Sequence, residues 1–128
     1  MRPEHIYAAY LAAQAVVGAL LWIAFGSSST FRGWFDLMPA HHAVTDAFVL
    51  ADLLVAVVGS ALSAWGVGAG RSWAVPAVAF TAGAMVYPTF YLLAWVSFAE
   101  TGRSALTIML VPAMVTCWIA YQTWRSSR

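Results

Sequence analysis

The segment HHAVTDAFVLADLL, residues 41–54, places two histidines and two aspartates at the start of a long apolar run. His42 and Asp46 are four residues apart, so on a helix they share one face and provide either an ion pair or two metal ligands. A metal site needs a third ligand, and the candidates on the same side of the membrane are His41, Asp36 and Glu100. The alternative is a set of solvated charges at the interface, and we predict that the chain holds no metal and no cofactor.

Asp52 lies deeper in the same run, about 12 Å below the start of the span at the helical rise per residue. An ionised carboxylate inside hydrocarbon costs several kcal/mol unless it is paired, hydrated or protonated, so such a residue is a candidate functional group. We therefore predict that Asp52 faces the interior of a helix bundle. The chemistry available to it is proton transfer with a tyrosine, and Tyr91 is the candidate partner. The alternative is a structural aspartate that hydrogen-bonds to hydroxyl groups on neighbouring helices.

Each of the other spans has a polar residue, a glycine or a proline near the depth of Asp52. Counted from the same side of the membrane, three residues lie at its level and three lie one turn deeper: Gly18, Tyr91 and Pro112, then Gln14, Tyr87 and Thr116. This distribution predicts a buried pocket between the helices. The predicted ligand-binding residues are Gln14, Asp52, Tyr87, Tyr91, Trp95 and Thr116, and the predicted catalytic residues are Asp52 and Tyr91.

The third span carries an aromatic stripe, because Tyr87, Tyr91, Trp95 and Phe98 recur at spacings of four, four and three residues. Such a wall suits a flat apolar ligand such as a sterol, carotenoid, quinone or polyprenyl chain. It would also stabilise a carbocation through the ring faces. The alternative is that the stripe only packs against other helices.

Two prolines fall inside predicted spans, Pro88 in the third and Pro112 in the fourth. Each removes one helical hydrogen bond, which frees the carbonyl four residues earlier, at Ala84 and Ile108. Kinks of this kind open space between helices, and they predict cavities at these positions.

The elements that position these residues follow from composition. Of 128 residues, 62% are hydrophobic and 9% are charged, with a mean hydropathy of +0.78. The apolar residues form four blocks long enough to cross a bilayer, at 6–25, 44–67, 72–98 and 105–124. We predict an all-α integral membrane four-helix bundle that forms a single domain over residues 1–128. The net charge of +1 excludes a nucleic-acid binder, and the single Cys117 excludes an intramolecular disulfide.

The connections predict a simple topology. GAGRS (68–72) and ETGRS (100–104) read as short hairpins in which glycine ends one helix and serine caps the next. The longer 26–43 loop is aromatic and is predicted to lie on or dip into the interface, with Pro39 opening the second span.

Spans alternate direction, so four arginines lie on one side and two on the other: Arg2, Arg71, Arg125 and Arg128 against Arg32 and Arg103. This bias predicts cytoplasmic termini in a plasma membrane, and arginine without lysine is typical of a GC-rich bacterial genome.

Part of the chain resembles the EXPERA group of small polytopic membrane proteins, which includes sterol isomerases and the sigma-2 receptor. The similar residues are Phe48, Ala51-Asp52-Leu53, Gly68, Trp73 and Pro76-Ala77. The resemblance implies that Asp52 lines a pocket for sterol-like ligands. In this chain Gln14 stands on the first span, where a second intramembrane acid would assist an isomerase.

Three functions remain open from the sequence. The leading one is binding of a membrane lipid or another hydrophobic small molecule around Asp52, with or without isomerase or cyclase chemistry. The second is a proton-coupled transporter acting as a homodimer, in which Asp52 changes protonation state. The third is an accessory subunit of a larger membrane complex. The small residues of the second span, Gly59, Ser60, Ser63 and Gly66, predict close helix packing within the chain or between chains.

Overall fold

The computed structural model describes residues 3–38 and 43–128, which form five helices: α1 (Pro3–Ser27), α2 (Ser29–Gly33), α3 (Ala43–Gly68), α4 (Ala74–Ala99) and α5 (Arg103–Ser126). All of them except the short α2 are long and apolar enough to cross a membrane. The predicted all-α bundle of four membrane-length helices is confirmed. Arg2, Pro39, His41 and His42 lie outside the described residues, and so do the predictions made on them.

The two hairpin connections are short, but the predicted serine caps are wrong. The residues that precede α4 and α5 are Trp73 and Gly102, and neither makes a side-chain capping hydrogen bond. The first connection instead turns at Gly70, whose φ is +61°. The Arg71 N–H bonds back to the Gly66 carbonyl at 2.9 Å, so the chain reverses before Ser72 reaches a capping position.

Helix α3 changes its hydrogen-bonding pattern immediately after Asp52. It is α-helical over Ala43–Asp52, π-helical over Leu53–Gly59, and α-helical again over Ser60–Gly68. A π-helical stretch has more residues per turn, so residues beyond it point in directions that a regular α-helix would not give them. The break therefore rotates the small-residue face of α3 relative to Asp52.

The spans pack as two pairs, α1 with α3 and α4 with α5, joined by contacts of α3 with α4. Close approach of α3 to α4 depends on Gly59, where an added Cβ would lie 2.9 Å from the Thr81 hydroxyl oxygen. Ser60 and Ser63 are fully buried, and the Ser63 and Thr81 hydroxyls are 3.2 Å apart. The small residues of the second span thus pack within the chain.

An apolar core closes the end of the bundle that carries the chain termini. It comprises Leu11 of α1, Ala64 and Val67 of α3, Ala74 and Val78 of α4, and Ile119 of α5. We call this the terminal end of the bundle and the opposite end, which carries α2, the loop end.

The loop end is covered by residues 34–38, which follow α2. Ser28 caps α2 by accepting the Phe31 N–H at 3.2 Å, so part of the predicted 26–43 loop is helical. Leu37 is only 3% exposed. Its N–H donates to the Thr45 hydroxyl at 3.3 Å, and its carbonyl accepts from the Thr101 hydroxyl at 2.8 Å. This segment therefore folds over the helix ends, while Trp34 remains 65% exposed.

Candidate functional site

Asp52 lies in the loop half of α3, immediately before the π-helical stretch, and it is half-buried. Its carboxylate hydrogen-bonds to the side chain of Trp22 on α1. Asp52 also lines three adjoining cavities, two of them bounded by all four spans and the third by α3, α4 and α5. The aspartate that the sequence singled out therefore borders open space on more than one side.

The largest of the three, the Asp52 cavity, has a volume of about 310 Å³. Along α1 it extends from Tyr10 to Trp22, a distance of about 18 Å at the helical rise. Its lining is mostly apolar, with Gln14 and Tyr10 as the other polar side chains. Val17 lines it and is 63% exposed, so the cavity reaches the outer surface of the bundle. On a membrane-spanning helix that surface faces lipid.

The two smaller cavities flank the Asp52 carboxylate. One, of about 130 Å³, lies between α3 and α4 and includes Tyr87. The other, of about 60 Å³, lies towards the loop end and is covered by Phe35 and Leu37. The segment that follows α2 thus closes the space above Asp52.

The prolines lie at these cavities, where the sequence predicted openings. Pro88 and Ala84 line the 130 Å³ cavity, and Pro112 and Ile108 line the Asp52 cavity. Because each proline lacks an N–H, the carbonyl four residues earlier loses its helical donor. These two positions therefore provide backbone acceptors near the cavity walls.

Gln14 joins all four spans through its side-chain amide. Its nitrogen donates to the Ser60 hydroxyl of α3 at 2.8 Å and contacts the Met85 sulfur of α4 at 3.3 Å. Its carbonyl oxygen lies 3.1 Å from the Thr116 hydroxyl of α5, which also lies 2.7 Å from the Pro112 carbonyl. Ser60 and Thr116 are fully buried, so this amide network lies at the centre of the bundle, between Asp52 and the terminal end.

The structure brings three of the predicted ligand-binding residues to cavities lined by Asp52, and it places the others elsewhere. Asp52 and Gln14 share the Asp52 cavity, and Tyr87, which is 78% exposed, lines the 130 Å³ cavity. Thr116 lines none of these cavities, but its hydroxyl contacts Gln14 and Met85, which do.

Tyr91 and Trp95 lie outside the walls of these cavities. The Tyr91 ring packs against Phe48 at 5.8 Å and against Trp95 at 6.1 Å, between ring centroids. The Trp95 indole donates to the Thr101 hydroxyl at 3.1 Å, near the end of α4. Tyr91 thus packs on Phe48, one turn before Asp52 on α3, and lines none of the cavities that Asp52 lines.

Two residues of α1 belong to the site and were not among the sequence candidates. Trp22 bonds to Asp52 and lines both the Asp52 cavity and the smaller one towards the loop end. Tyr10 is the tyrosine that shares the Asp52 cavity. The only sequence signal for Trp22 is its position within the first span, about 7 Å from the loop end of α1.

The charged groups of the loop end form a separate cluster. The Arg32 guanidinium is 2.7 Å from the Asp46 carboxylate and 3.5 Å from that of Asp36. Asp52 is the only charged residue among the described residues that line its three cavities. No three His, Cys, Asp or Glu side chains within residues 3–38 and 43–128 are grouped so as to hold a metal ion.

The geometry provides one acidic group that faces an elongated, mainly apolar space open towards lipid. A carboxylate has acceptor positions beyond the one that Trp22 uses, so Asp52 retains capacity for a bound molecule.

No family model, no curated protein and no solved structure matches this chain.

Proposed function

We propose that this protein binds a lipid-like or aromatic small molecule in the Asp52 cavity, with Asp52 as the polar anchor. The observation that carries the proposal is the position of Asp52, a half-buried aspartate at membrane depth that lines three adjoining cavities. Ligand sites in proteins are typically apolar clefts with a few convergent polar groups. The Asp52 cavity has this composition, and its volume of about 310 Å³ is at the lower end of the range for such sites.

The lining favours a ligand with one hydrogen-bonding end and an apolar body. Asp52, Gln14 and Tyr10 are the polar side chains of the Asp52 cavity. Gln14 already bonds to Ser60 and lies against Thr116, which leaves Asp52 as the main polar contact. A hydroxyl or similar donor on a sterol, polyprenyl or quinol-like molecule would bond to the carboxylate. The apolar body would then extend along α1, and entry would occur from the hydrocarbon beside Val17.

Binding has better geometric support than proton-transfer catalysis. An isomerase or cyclase needs an acid and a base within hydrogen-bond reach of the reacting atoms. Tyr91, the predicted partner of Asp52, packs on Phe48 and does not line the Asp52 cavity. If the site is catalytic, Tyr10 is the tyrosine that shares the cavity with the carboxylate.

The proposed location is a bacterial plasma membrane with both termini in the cytoplasm. Arg71 and Arg125 lie at the terminal end of the bundle, and Arg32 and Arg103 lie at the loop end. Arg128 adds to the terminal end, which supports a cytoplasmic position for that end by the positive-inside rule.

The test is mass spectrometry of organic extracts from gently purified protein. We expect one lipid or isoprenoid species to be enriched in the wild type and lost in Asp52→Asn, which preserves side-chain size but removes the charge. Glu100→Gln is the matched control, because it neutralises an exposed acid at the end of α4, away from the cavities. A second variant, Val17→Phe, narrows the lipid-facing side of the cavity while the carboxylate stays in place.

The enriched species should persist in Glu100→Gln and decrease in Val17→Phe. Ordinary bulk membrane lipid in the wild type and in every variant would refute the proposal. That outcome would favour the accessory-subunit hypothesis, in which Asp52 is structural. Elution of each variant as a monodisperse peak in size-exclusion chromatography controls for misfolding.

A further inference from the structure

A further cavity, separate from the three that Asp52 lines, lies at the loop end. It has a volume of about 480 Å³ and lies between the end of α1, α2 and the first half of α3. We call it the vestibule. Its described lining residues include an apolar group with Ala19, Ile23, Gly26, Val49 and Leu53. The charged residues of the lining are Arg32 and Asp46.

The charged residues of the vestibule present one positive and one negative charge. The Arg32 and Asp46 side chains form an ion pair at 2.7 Å, and they are 24% and 53% exposed. The Arg32 Nε also lies 3.5 Å from the carboxylate of Asp36, whose side chain is 1% exposed and does not line the vestibule. Asp36 therefore fixes the position of Arg32, while Arg32 and Asp46 remain in contact with solvent and with whatever occupies the cavity.

The two groups of residues occupy different depths. Arg32 follows the end of α1, and Asp46 lies in the first turn of α3, so the charges are at the loop end. Ala19 and Leu53 lie about 10 Å deeper along their helices at the usual rise. The vestibule thus has a charged rim at the depth of lipid head groups and an apolar wall at the depth of acyl chains.

We propose that the vestibule binds a zwitterionic phospholipid. The ammonium group of the lipid would contact Asp46, its phosphate would contact Arg32, and its proximal acyl chain would lie against Ile23, Val49 and Leu53. Arginine is well suited to phosphate because its planar fork donates two parallel hydrogen bonds. A zwitterion satisfies both members of the ion pair together, whereas an anionic lipid leaves Asp46 facing a negative group.

The test compares lipid binding by the full-length protein in detergent, using native mass spectrometry and thermal unfolding. The probes are phosphatidylethanolamine, phosphatidylglycerol with the same acyl chains, and glycerophosphoethanolamine, which has the head group without the chains. We expect phosphatidylethanolamine to bind more tightly than phosphatidylglycerol and to raise the unfolding temperature. Soluble glycerophosphoethanolamine should not compete, because the apolar wall contributes to binding.

Two variants separate the vestibule from nonspecific lipid adhesion. Asp46→Asn should weaken phosphatidylethanolamine binding about tenfold and remove the preference over phosphatidylglycerol. Gly26→Leu fills the vestibule, since nothing lies within 4 Å of a Cβ added at Gly26, and it should abolish the preference while the fold is retained. Arg103→Gln and Glu100→Gln are matched charge controls at the same end of the bundle, and they should behave like the wild type.

Equal binding of the two phospholipids by the wild type would overturn the proposal. An unchanged preference in Gly26→Leu would do the same, because the lipid would then bind elsewhere. Displacement of lipid by glycerophosphoethanolamine would show that a free head group is the ligand and would overturn the phospholipid assignment. None of these outcomes depends on a ligand in the Asp52 cavity, so the two proposals can fail separately.

Discussion

Replacing Gln14 by leucine keeps most of the side-chain volume but removes the amide that connects the four spans. Two contacts with oxygen are lost, to Ser60 at 2.8 Å and to Thr116 at 3.1 Å. Interhelical hydrogen bonds in membrane proteins average about 0.6 kcal/mol each. The loss has a second component, because the fully buried Ser60 hydroxyl loses the amide partner, which costs about 1–3 kcal/mol. Thr116 is less affected, since it keeps the Pro112 carbonyl at 2.7 Å.

We therefore expect Gln14→Leu to lower the free energy of unfolding by about 2–4 kcal/mol. Ser60→Ala should cost less in the Gln14→Leu background than in the wild type, because the partner of the hydroxyl has already been removed. The two substitutions should be coupled by about 1 kcal/mol. The measurement is reversible unfolding in mixed micelles with increasing sodium dodecyl sulfate, followed by the fluorescence of the seven tryptophans.

Gln122→Leu is the matched control, since Gln122 lies near the end of α5, away from this network. It should change the free energy of unfolding by less than about 0.5 kcal/mol. A Gln14→Leu variant as stable as the wild type would refute the argument that the amide holds the helices together. Strict additivity with Ser60→Ala would refute it as well, because the two groups would then not interact.

Two glycine pairs give further predictions in the same unfolding assay. Gly83→Ala should stabilise the protein by up to about 1 kcal/mol, because nothing lies near the added Cβ. Gly59→Ala should destabilise it by about 1–3 kcal/mol, because the added Cβ would lie 2.9 Å from the Thr81 hydroxyl of α4. Equal effects would contradict the close approach of α3 to α4. Gly70→Ala should lower the free energy of unfolding by about 1–2 kcal/mol, because alanine is strained at a positive φ even though nothing lies near the added Cβ. Gly102→Ala should cost more, because its Cβ would also meet Leu37 at 2.6 Å, and it alone should increase protease cleavage within residues 34–38.

Much of the fold could be predicted because the bilayer limits the choices. Apolar blocks separated by short hairpins such as GAGRS leave a chain few arrangements other than a helical bundle. Details that depend on backbone geometry could not be predicted in this way. Ser72 has the right residue type for a cap, yet a turn with positive φ at Gly70 moves the helix start to Ala74.

The site was only partly predictable, because depth follows from residue counting but rotation about the helix axis does not. Depth placed Gln14, Gly18 and Pro112 near Asp52, and all three line the Asp52 cavity. It also placed Tyr91 there, but Tyr91 packs on Phe48 and does not line the Asp52 cavity. The π-helical stretch after Asp52 adds to the difficulty, because it changes the direction of every later residue of α3 relative to a regular helix.

The contrast between Asp52 and Ser60 on the same helix is the strongest argument that Asp52 serves a ligand. Ser60 is completely buried, and its hydroxyl accepts a hydrogen bond from the Gln14 amide at 2.8 Å. Burial with a bonded partner on another helix is typical of a polar group that holds helices together. Asp52, eight residues earlier, is costlier to bury, yet it borders three cavities and shares one bond with Trp22. A purely structural aspartate would be expected to have the packed and bonded surroundings of Ser60. Open space around a carboxylate at membrane depth is instead what a site needs if a molecule from the bilayer is to reach it.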